Sequence, residues 1–318
     1  MKAMLLRRPA LAEQSPLEAV ELPAPKPASG EILVRVRACG ICHTDLHTVE
    51  GEITGKLPIV PGHQIVGVDE KTGERVGVPW LHRSCGECEF CRSDRENLCE
   101  RPEFTGFHVN GGYTAFTTVP ADFAVRIPDA FDDAHAAPLL CAGIIGYRAL
   151  RISGIRRQQA LGLYGFGASA HIAIQITRHW NCEVFVSTRS AGHQQLAREL
   201  GATLEIADNS LDAAIIFAPA GALVPVALRA LRKGGTLVLA GIYMSAIPEM
   251  KYDLLYHERI IRSVANATRD DARQFMEIAG QIPVRTEVET FPLADANRAL
   301  VALKHGEIRG AGVLMVSG

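Results

Sequence analysis

The pattern of apolar and polar positions divides the chain into two halves of different character. In the first half, residues 32–37 alternate apolar and polar side chains, which predicts a strand with one buried face. Residues 74–78 predict another short strand. Glycine and proline interrupt these segments, so we expect a β-rich domain with few helices.

The second half alternates short apolar runs with helical patterns. Helices are predicted at 171–179, 194–200 and 223–231, and strands at 161–164, 183–187, 203–206, 213–217, 236–241 and 260–264. Apolar strands joined by helical crossovers are typical of a parallel sheet that is covered on both faces. We therefore predict an α/β fold with a doubly wound parallel sheet of six strands.

Composition and charge exclude several classes of partner. The chain has 318 residues, enough for two domains, and 47% of them are hydrophobic. Its net charge of −2 gives no support for nucleic acid or an anionic membrane surface as a partner. No apolar run reaches the roughly 18 residues of a membrane span, and the N-terminus lacks a signal-peptide pattern. We expect a cytoplasmic protein.

The first concentration of reactive side chains lies around Cys42. Cys42 and His63 offer the sulfur and nitrogen ligands that zinc prefers. Asp45 is close enough in sequence to orient a ligand, and Thr44 and His47 can both carry protons. A catalytic zinc site needs three protein ligands and one open position. The third ligand must therefore come from elsewhere in the chain.

Four further cysteines follow within 15 residues on a polar, turn-rich segment. They are Cys85, Cys88, Cys91 and Cys99. This spacing matches a closed tetrahedral zinc site, which has no position for substrate and is therefore structural. An iron–sulfur cluster is the alternative for four thiolates.

Cys141 stands at the head of another predicted helix. A lone cysteine in such a place is most often a small core residue. A ligand role becomes attractive because Cys42 and His63 still lack a partner.

Residues 165–170 read G-x-G-x-x-A between a predicted strand and a predicted helix. Gly165 and Gly167 would allow a tight turn and close approach to a pyrophosphate, and the small Ala170 would let the helix pack on the strand. This context indicates a dinucleotide-binding (Rossmann) domain.

The end of the second predicted strand bears on the choice of coenzyme. An acidic residue there commonly binds the adenosine 2′-hydroxyl, but this chain has Thr188 and Arg189. Arginine forms charge-assisted, forked hydrogen bonds with a phosphate, so NADP(H) is favoured. The alternative is a solvated Arg189 in a protein that also accepts NAD(H).

Taken together, these motifs resemble the zinc-dependent medium-chain alcohol dehydrogenases nearly from end to end, and most closely the bacterial enzymes that act on simple primary alcohols. The resemblance rests on Cys42-x-x-Asp45 with His47, Gly62-His63-x-x-x-Gly67, the four-cysteine segment, Cys141-Ala142-Gly143 and Gly165-x-Gly167-x-x-Ala170. One departure is Gln64, where the family usually has a glutamate after the motif histidine.

The resemblance implies a complete catalytic zinc site. Cys42, His63 and Cys141 would be its ligands, with Asp45 hydrogen-bonded to His63. Thr44 and His47 would form a proton relay. With the four-cysteine site, the chain would hold two zinc ions, one catalytic and one structural.

The resemblance also assigns three residues that no spacing argument reaches. His43 would lie near the pyrophosphate, and Arg269 would lie near the cofactor. Trp80 would narrow the substrate pocket, the alternative being an ordinary core residue.

The resemblance further implies two domains. Residues 1–140 and 279–318 would form a β-rich, GroES-like catalytic domain, and residues 141–278 would bind the dinucleotide. Relatives form homodimers or homotetramers through the sheet edge, and the sequence does not choose between them.

The expected activity is hydride transfer between a nicotinamide cofactor and a small primary alcohol or aldehyde. Two alternatives stay open. One is a different reaction on the same scaffold, either reduction of α,β-unsaturated aldehydes or polyol oxidation. The other is a non-catalytic cofactor-binding sensor, towards which only Gln64 points.

Overall fold

The computed structural model describes residues 1–316, which divide into two compact units. The first contains residues 1–141, 266–280 and the chain from 285 onward. The second contains residues 142–265 and 281–284. Each unit is therefore built around its own core, and the first is assembled from separate stretches of sequence.

Strands predominate in the first unit and alternate with helices in the second. The strands are β1 (Lys2–Leu6), β2 (Leu17–Glu21), β3 (Glu31–Gly40), β4 (Gln64–Asp69), β5 (Arg75–Val78), β6 (Leu81–Arg83), β7 (Glu103–Phe104), β8 (Phe116–Pro120), β9 (Val125–Arg126), β10 (Ala160–Tyr164), β11 (Glu183–Ser187), β12 (Leu211–Ile216), β13 (Leu231–Leu239), β14 (Ile260–Ser263), β15 (Val288–Pro292) and β16 (Ala311–Met315). The α-helices are α1 (His43–Glu50), α2 (Glu89–Arg92), α3 (Asp133–Ala136), α4 (Ala142–Ser153), α5 (Ala168–His179), α6 (Ala191–Glu199), α7 (Leu223–Ala230), α8 (Asp253–Tyr256), α9 (Arg269–Gln281) and α10 (Ala296–His305).

The first unit is organised by β3, the alternating strand that the sequence predicts at 32–37. Val34 and Val36 are buried, whereas Arg35 between them is exposed. β3 pairs antiparallel with β4, β8 and β16, in a seven-stranded sheet that also contains β5, β9 and β15. This central strand carries the chain to Gly40, two residues before Cys42.

The second unit contains a parallel sheet of five strands in the order β11-β10-β12-β13-β14. β10 and β12 are almost wholly buried, as apolar strands with both faces covered should be. The α/β character and the parallel sheet are confirmed.

The prediction of a sixth strand at 203–206 is wrong. Thr203 makes a single parallel bridge to Phe185 and exchanges backbone hydrogen bonds with β11, after which the chain leaves the sheet. Thr203 and Glu205 are exposed. A segment with alternate polar residues cannot bury both of its faces, so pairing ends where the covered region ends.

Residues 266–280 lie in the first unit, whereas the predicted boundary places 266–278 in the dinucleotide domain. Arg269 explains this placement. Its Nη2 donates to Glu96 at 2.6 Å, and its backbone N–H donates to the same carboxylate at 2.8 Å. Its guanidinium also lies 4.4 Å from the ring centroid of Phe123. The returning chain is therefore anchored on the four-cysteine segment.

Within the described residues, the helices are too short or too polar to cross a membrane.

We expect Glu96→Gln to lower the free energy of unfolding at pH 7 by about 1–3 kcal/mol, because the buried ion pair with Arg269 loses its charge. Burial acts to raise the pKa of Glu96, but hydrogen bonds from Arg269 outweigh it and lower the pKa below 4.5. A carboxyl whose folded pKa is depressed stabilises the fold above its unfolded pKa and loses that contribution as pH falls through the folded pKa.

Urea unfolding at pH 7 and at successive values below 4.5 measures this effect. The difference between wild type and Glu96→Gln should shrink across the acidic series. Glu70→Gln is the matched control, since Glu70 pairs with Arg35 on the surface, where both side chains are more than a third exposed. Equal losses in the two variants would show that the Glu96 pair does not anchor the fold.

Candidate active site

The start of α1 brings four predicted site residues together. Cys42 is the N-cap: its Sγ accepts a hydrogen bond from the backbone N–H of Thr44 at 3.3 Å. In return, the Asp45 carboxylate accepts from the backbone N–H of Cys42 at 2.9 Å. This reciprocal capping box explains why a helix begins here. It also fixes Cys42, Thr44 and Asp45 on one turn, with His47 one turn further along.

His63 follows Gly62 directly and lies beside Asp45 and Cys42. Gly62 has a φ of +98°, and a Cβ there would collide with the Tyr113 ring, so the turn requires glycine. Asp45 Oδ1 accepts from Gly62 N at 3.2 Å and lies 3.0 Å from His63 Nδ1. The other ring nitrogen, Nε2, lies 3.2 Å from Cys42 Sγ.

Cys141 completes the cluster. It directly follows a 3-10 turn over Ala137–Leu140, and its Sγ, Cys42 Sγ and a His63 ring nitrogen all lie within 4.8 Å of one another. The structure therefore places the predicted third ligand beside the other two, inside the first unit.

The electrostatics of this cluster fit a divalent cation. The Cys141 thiol, followed by His63, lowers the pKa of Cys42, while the hydrogen bond to Cys42 and burial raise the pKa of Cys141. Burial acts to lower the pKa of His63, but Asp45 and Cys42 raise it overall. Negative charge on both sulfurs is costly here, because the sulfurs lie close to each other and to the buried Asp45 carboxylate. A Zn²⁺ ion bound by both sulfurs and the imidazole would relieve this conflict.

Trp80 lies against the cluster and also packs into its surroundings. Its ring meets the His63 ring edge-on, with centroids 4.8 Å apart, and stacks on Phe104 at 4.9 Å. The indole N–H donates to Asn266 Oδ1 at 3.1 Å. Trp80 thus packs against Phe104 and is also a direct neighbour of His63.

The two residues predicted to form a proton relay differ in exposure. Thr44 is buried, and its carbonyl accepts from Thr48 Oγ1 at 2.8 Å. His47 is half-buried, and its Nδ1 contacts the Glu52 carboxylate. His43, at the first position of α1, is exposed, with its ring 6.3 Å from that of His47. Along α1, the Thr44 hydroxyl is therefore buried, the His47 imidazole is half-buried and the His43 imidazole is exposed.

Gln64 is buried at the start of β4 and pairs in register with Gly40. A Cβ at Gly40 would lie 3.0 Å from Gln64 Cδ, so the amide fills the space that this glycine leaves. The side chain at this departure from the family pattern packs closely rather than facing solvent.

The four cysteine sulfurs of the 85–99 segment lie within 4.8 Å of one another. The backbone N–H of Cys85 donates to Cys99 Sγ at 3.2 Å, and that of Cys88 donates to Cys85 Sγ at 3.4 Å. Backbone hydrogen bonds from Glu87 and Cys88 lower the pKa of Cys85 to about 6. Four sulfurs this close together fit a closed tetrahedral zinc site.

The second unit has the geometry expected of the glycine motif. Gly165 adopts a φ of +86°, donates its N–H to Ser187 O at 2.8 Å, and would place a Cβ only 2.8 Å from Ala218 N. Gly167 is the N-cap of α5, and Ala170 is fully buried in the first turn. The backbone at Gly167 is open at the N-terminus of α5, because, among the described residues, no atom beyond its chain neighbours lies within 4 Å of where a Cβ would be. Phosphate binding requires such an accessible helix N-terminus.

Thr188 and Arg189 follow β11, as the sequence predicts. Thr188 O accepts from Gln194 Nε2 at 2.9 Å, which ties the turn to α6. The Arg189 side chain is exposed. The turn therefore holds a cation in solvent at the carboxyl end of the second strand.

Sequence reasoning missed Asn266, Tyr113 and Glu52. Asn266 and Trp80 are 186 residues apart, and no local pattern links them. Arg269 is predicted to lie near the cofactor. In the structure its guanidinium donates to Glu96 through Nε and Nη2, so these donors already have a partner within the protein. The positive φ of Asn266 marks it in the structure, but the sequence carries no signal for it.

We expect Asp45→Asn to weaken Zn²⁺ binding at the Cys42–His63–Cys141 cluster by about 10–100-fold, because an amide cannot hold His63 as a carboxylate does. Competition with a chromophoric chelator measures the affinity. Asp69→Asn is the control, since Asp69 is also buried but accepts from Lys71 N and Thr72. If both variants keep the wild-type affinity, Asp45 does not support the metal.

Comparison with known proteins places the chain in a family. The model of the alcohol dehydrogenase GroES-like domain matches residues 28–129, and that of the zinc-binding dehydrogenases matches residues 170–281. A probable alcohol dehydrogenase, AdhA, of Mycobacterium tuberculosis is 44% identical, over 99% of this chain and 97% of the relative. An alcohol dehydrogenase of Geobacillus stearothermophilus is 36% identical, over 95% of this chain and 97% of the relative.

The fold is shared with solved structures as well. The cinnamyl alcohol dehydrogenase of Sorghum bicolor superimposes with a TM-score of 0.89 at 27% identity, covering 99% of this chain and 97% of that one. Family models, close relatives and fold agree with the metal-ligand cluster and the glycine motif. The chain therefore belongs to the zinc-dependent medium-chain alcohol dehydrogenases, oxidoreductases that act on CH–OH groups with a nicotinamide cofactor.

Proposed function

We propose that the Cys42–His63–Cys141 cluster is the catalytic centre and that it oxidises small primary alcohols, or reduces the corresponding aldehydes, with NADP(H). One observation carries the proposal. Two sulfurs and one imidazole nitrogen lie within 4.8 Å of one another, next to a buried threonine on the helix that Cys42 caps. Three ligands leave a fourth position for substrate.

Cys42, His63 and Cys141 would hold the zinc ion, and Asp45 would keep His63 in the tautomer that ligates through Nε2. When bound, zinc supplies Lewis acidity, which favours loss of the alcohol proton and polarises an aldehyde carbonyl. The chain contributes the placement of the three ligands and the burial that strengthens charge interactions.

The Thr44 hydroxyl would accept the alcohol proton; its position two residues after Cys42 on the same turn supports this role. His47 would carry the proton further, since it lies between the buried interior and the exposed Glu52 carboxylate. The relay thus runs along the first turns of α1 from the metal cluster towards solvent.

The cysteine segment would bind the second zinc ion of each chain. Its sulfurs leave no open position, so the ion is structural. The segment also anchors the returning chain through Glu96 and Arg269. A supporting role for the fold, rather than for chemistry, follows from both features.

The second unit would bind the dinucleotide. Gly165, Gly167 and Ala170 would receive the pyrophosphate, and His43 would be a further polar contact for the cofactor. Thr188 and Arg189 favour NADP(H), because they replace a carboxylate with a hydroxyl and a cation. NAD(H) remains usable, since an exposed arginine does not exclude a free 2′-hydroxyl.

Trp80 supports a preference for small substrates, because the indole occupies space directly beside His63.

The exposed edge strand β14 supports a homodimer or homotetramer. Ile260 on this strand and the nearby Tyr252 and Tyr256 are all about half exposed or more. An apolar sheet edge of this kind is usually covered.

We expect Thr44→Ala to lower kcat by about 100-fold or more, the usual scale for loss of a proton-transfer group. Initial rates of aldehyde reduction measure the effect, and metal analysis should still find two zinc ions per chain. Thr48→Ala is the control, since it removes a buried hydroxyl one turn further along α1. Unchanged turnover in Thr44→Ala would reject the relay, and a wild-type protein with zinc but no turnover would favour a sensor.

Arg189→Ala should raise KM for NADPH about tenfold or more, the scale of a lost hydrogen bond to a charged group, and leave KM for NADH nearly unchanged. Parallel titrations with the two coenzymes test this. Arg198→Ala, on the exposed side of α6, controls for loss of positive charge in the same region. Equal effects on both coenzymes would show that Arg189 does not face the 2′-phosphate.

A further inference from the structure

The indole of Trp80 is held by a residue far along the chain. Its Nε1–H donates to Asn266 Oδ1 at 3.1 Å, and Asn266 Nδ2 donates to Asn97 O at 3.4 Å. An indole N–H can only donate and a peptide carbonyl can only accept. The two neighbours therefore allow the Asn266 amide a single orientation.

The backbone of Asn266 adds a second requirement. Its φ is +56°, in the left-handed region that asparagine adopts more readily than most residues with a side chain. Three residues later, Arg269 is bound to Glu96, which precedes Asn97. The segment that carries Asn266 is therefore held at two points on the cysteine segment.

Stacking alone does not fix the position of Trp80. The Phe104 ring lies nearly parallel to the indole, with an interplanar angle of 12°. Parallel rings can slide and turn within their common plane at little cost, because stacking has weak directionality there. The Asn266 hydrogen bond removes this freedom and fixes the orientation of the indole beside His63.

We propose that Asn266 is a positioning residue that sets the selectivity of the substrate pocket by holding the Trp80 indole beside His63. The proposal rests on the proposed role of Trp80 as a wall of that pocket. Without the acceptor, the indole can rotate away from His63, and bulky aldehydes gain access that the wild-type enzyme denies them.

Two substitutions separate the acceptor from the backbone. Asn266→Gly keeps the positive φ and removes the acceptor, whereas Asn266→Asp keeps an acceptor and tolerates the same φ. Both are made in a Trp180→Phe background, which leaves Trp80 as the sole tryptophan of the chain. The zinc-loaded protein is used throughout.

In Asn266→Gly, the fluorescence anisotropy of Trp80 should fall and its quenching by acrylamide should rise, while Asn266→Asp stays close to the parent. The ratio of kcat/KM for acetaldehyde to kcat/KM for benzaldehyde should fall about fivefold in Asn266→Gly, the scale of one lost hydrogen bond. We expect this change mainly in KM for benzaldehyde, because binding rather than proton transfer is altered.

Parent-like anisotropy and selectivity in Asn266→Gly would overturn the proposal, as would an Asn266→Asp variant that behaves like Asn266→Gly. Trp80→Ala tests the pocket assignment separately. If Trp80→Ala leaves the substrate ratio unchanged while Asn266→Gly still frees the indole, Trp80 is not a pocket wall and the selectivity role of Asn266 falls with it. A fallen ratio in both Trp80→Ala and Asn266→Gly supports the proposal.

Discussion

The geometry of the Cys42–His63–Cys141 cluster depends on the hydrogen bonds of the buried Asp45 carboxylate. This carboxylate receives hydrogen bonds from the backbone of Cys42 and of Gly62 and faces the His63 ring. Two chain segments that are far apart in sequence are thereby fixed around one charge. A buried carboxylate is costly unless it is paired, and burial raises the pKa of Asp45 here. A cation bound by the neighbouring sulfurs and imidazole offsets that cost, so helix capping, turn geometry and metal binding support one another.

How much the sequence predicts depends on the range of the contact. The Cys42-x-x-Asp45 pair, the four cysteines and the 165–170 glycine motif each act within a single turn or loop, so their spacing carries their geometry. The alternation at 32–37 predicts β3 because only one face of that strand is buried. These features needed no knowledge of tertiary structure.

Long-range contacts were beyond the same reasoning. Cys141 by itself reads as a small core residue, and only the missing third ligand and the family resemblance pointed to its place beside Cys42. Residues 203–206 have strand-like composition, but the sheet offers them no second covered face. The hydrogen bonds from Arg269 to Glu96 and from Trp80 to Asn266 each join residues more than 170 positions apart. Each case is decided by packing between distant segments, which hydrophobic periodicity does not encode.

The pairing of β3 with β16 has a consequence for biosynthesis. Gly40 lies opposite Val313, and Ile41 N donates to Gly312 O at 2.9 Å, directly before the Cys42 cap. β16 thus braces the segment that leads to Cys42. During synthesis, Cys42 is made roughly 270 residues before that brace exists, so this segment cannot reach its final geometry until β16 has been synthesised. Removing β16 would therefore disturb the Cys42–His63–Cys141 cluster, although its three residues lie far earlier in the chain.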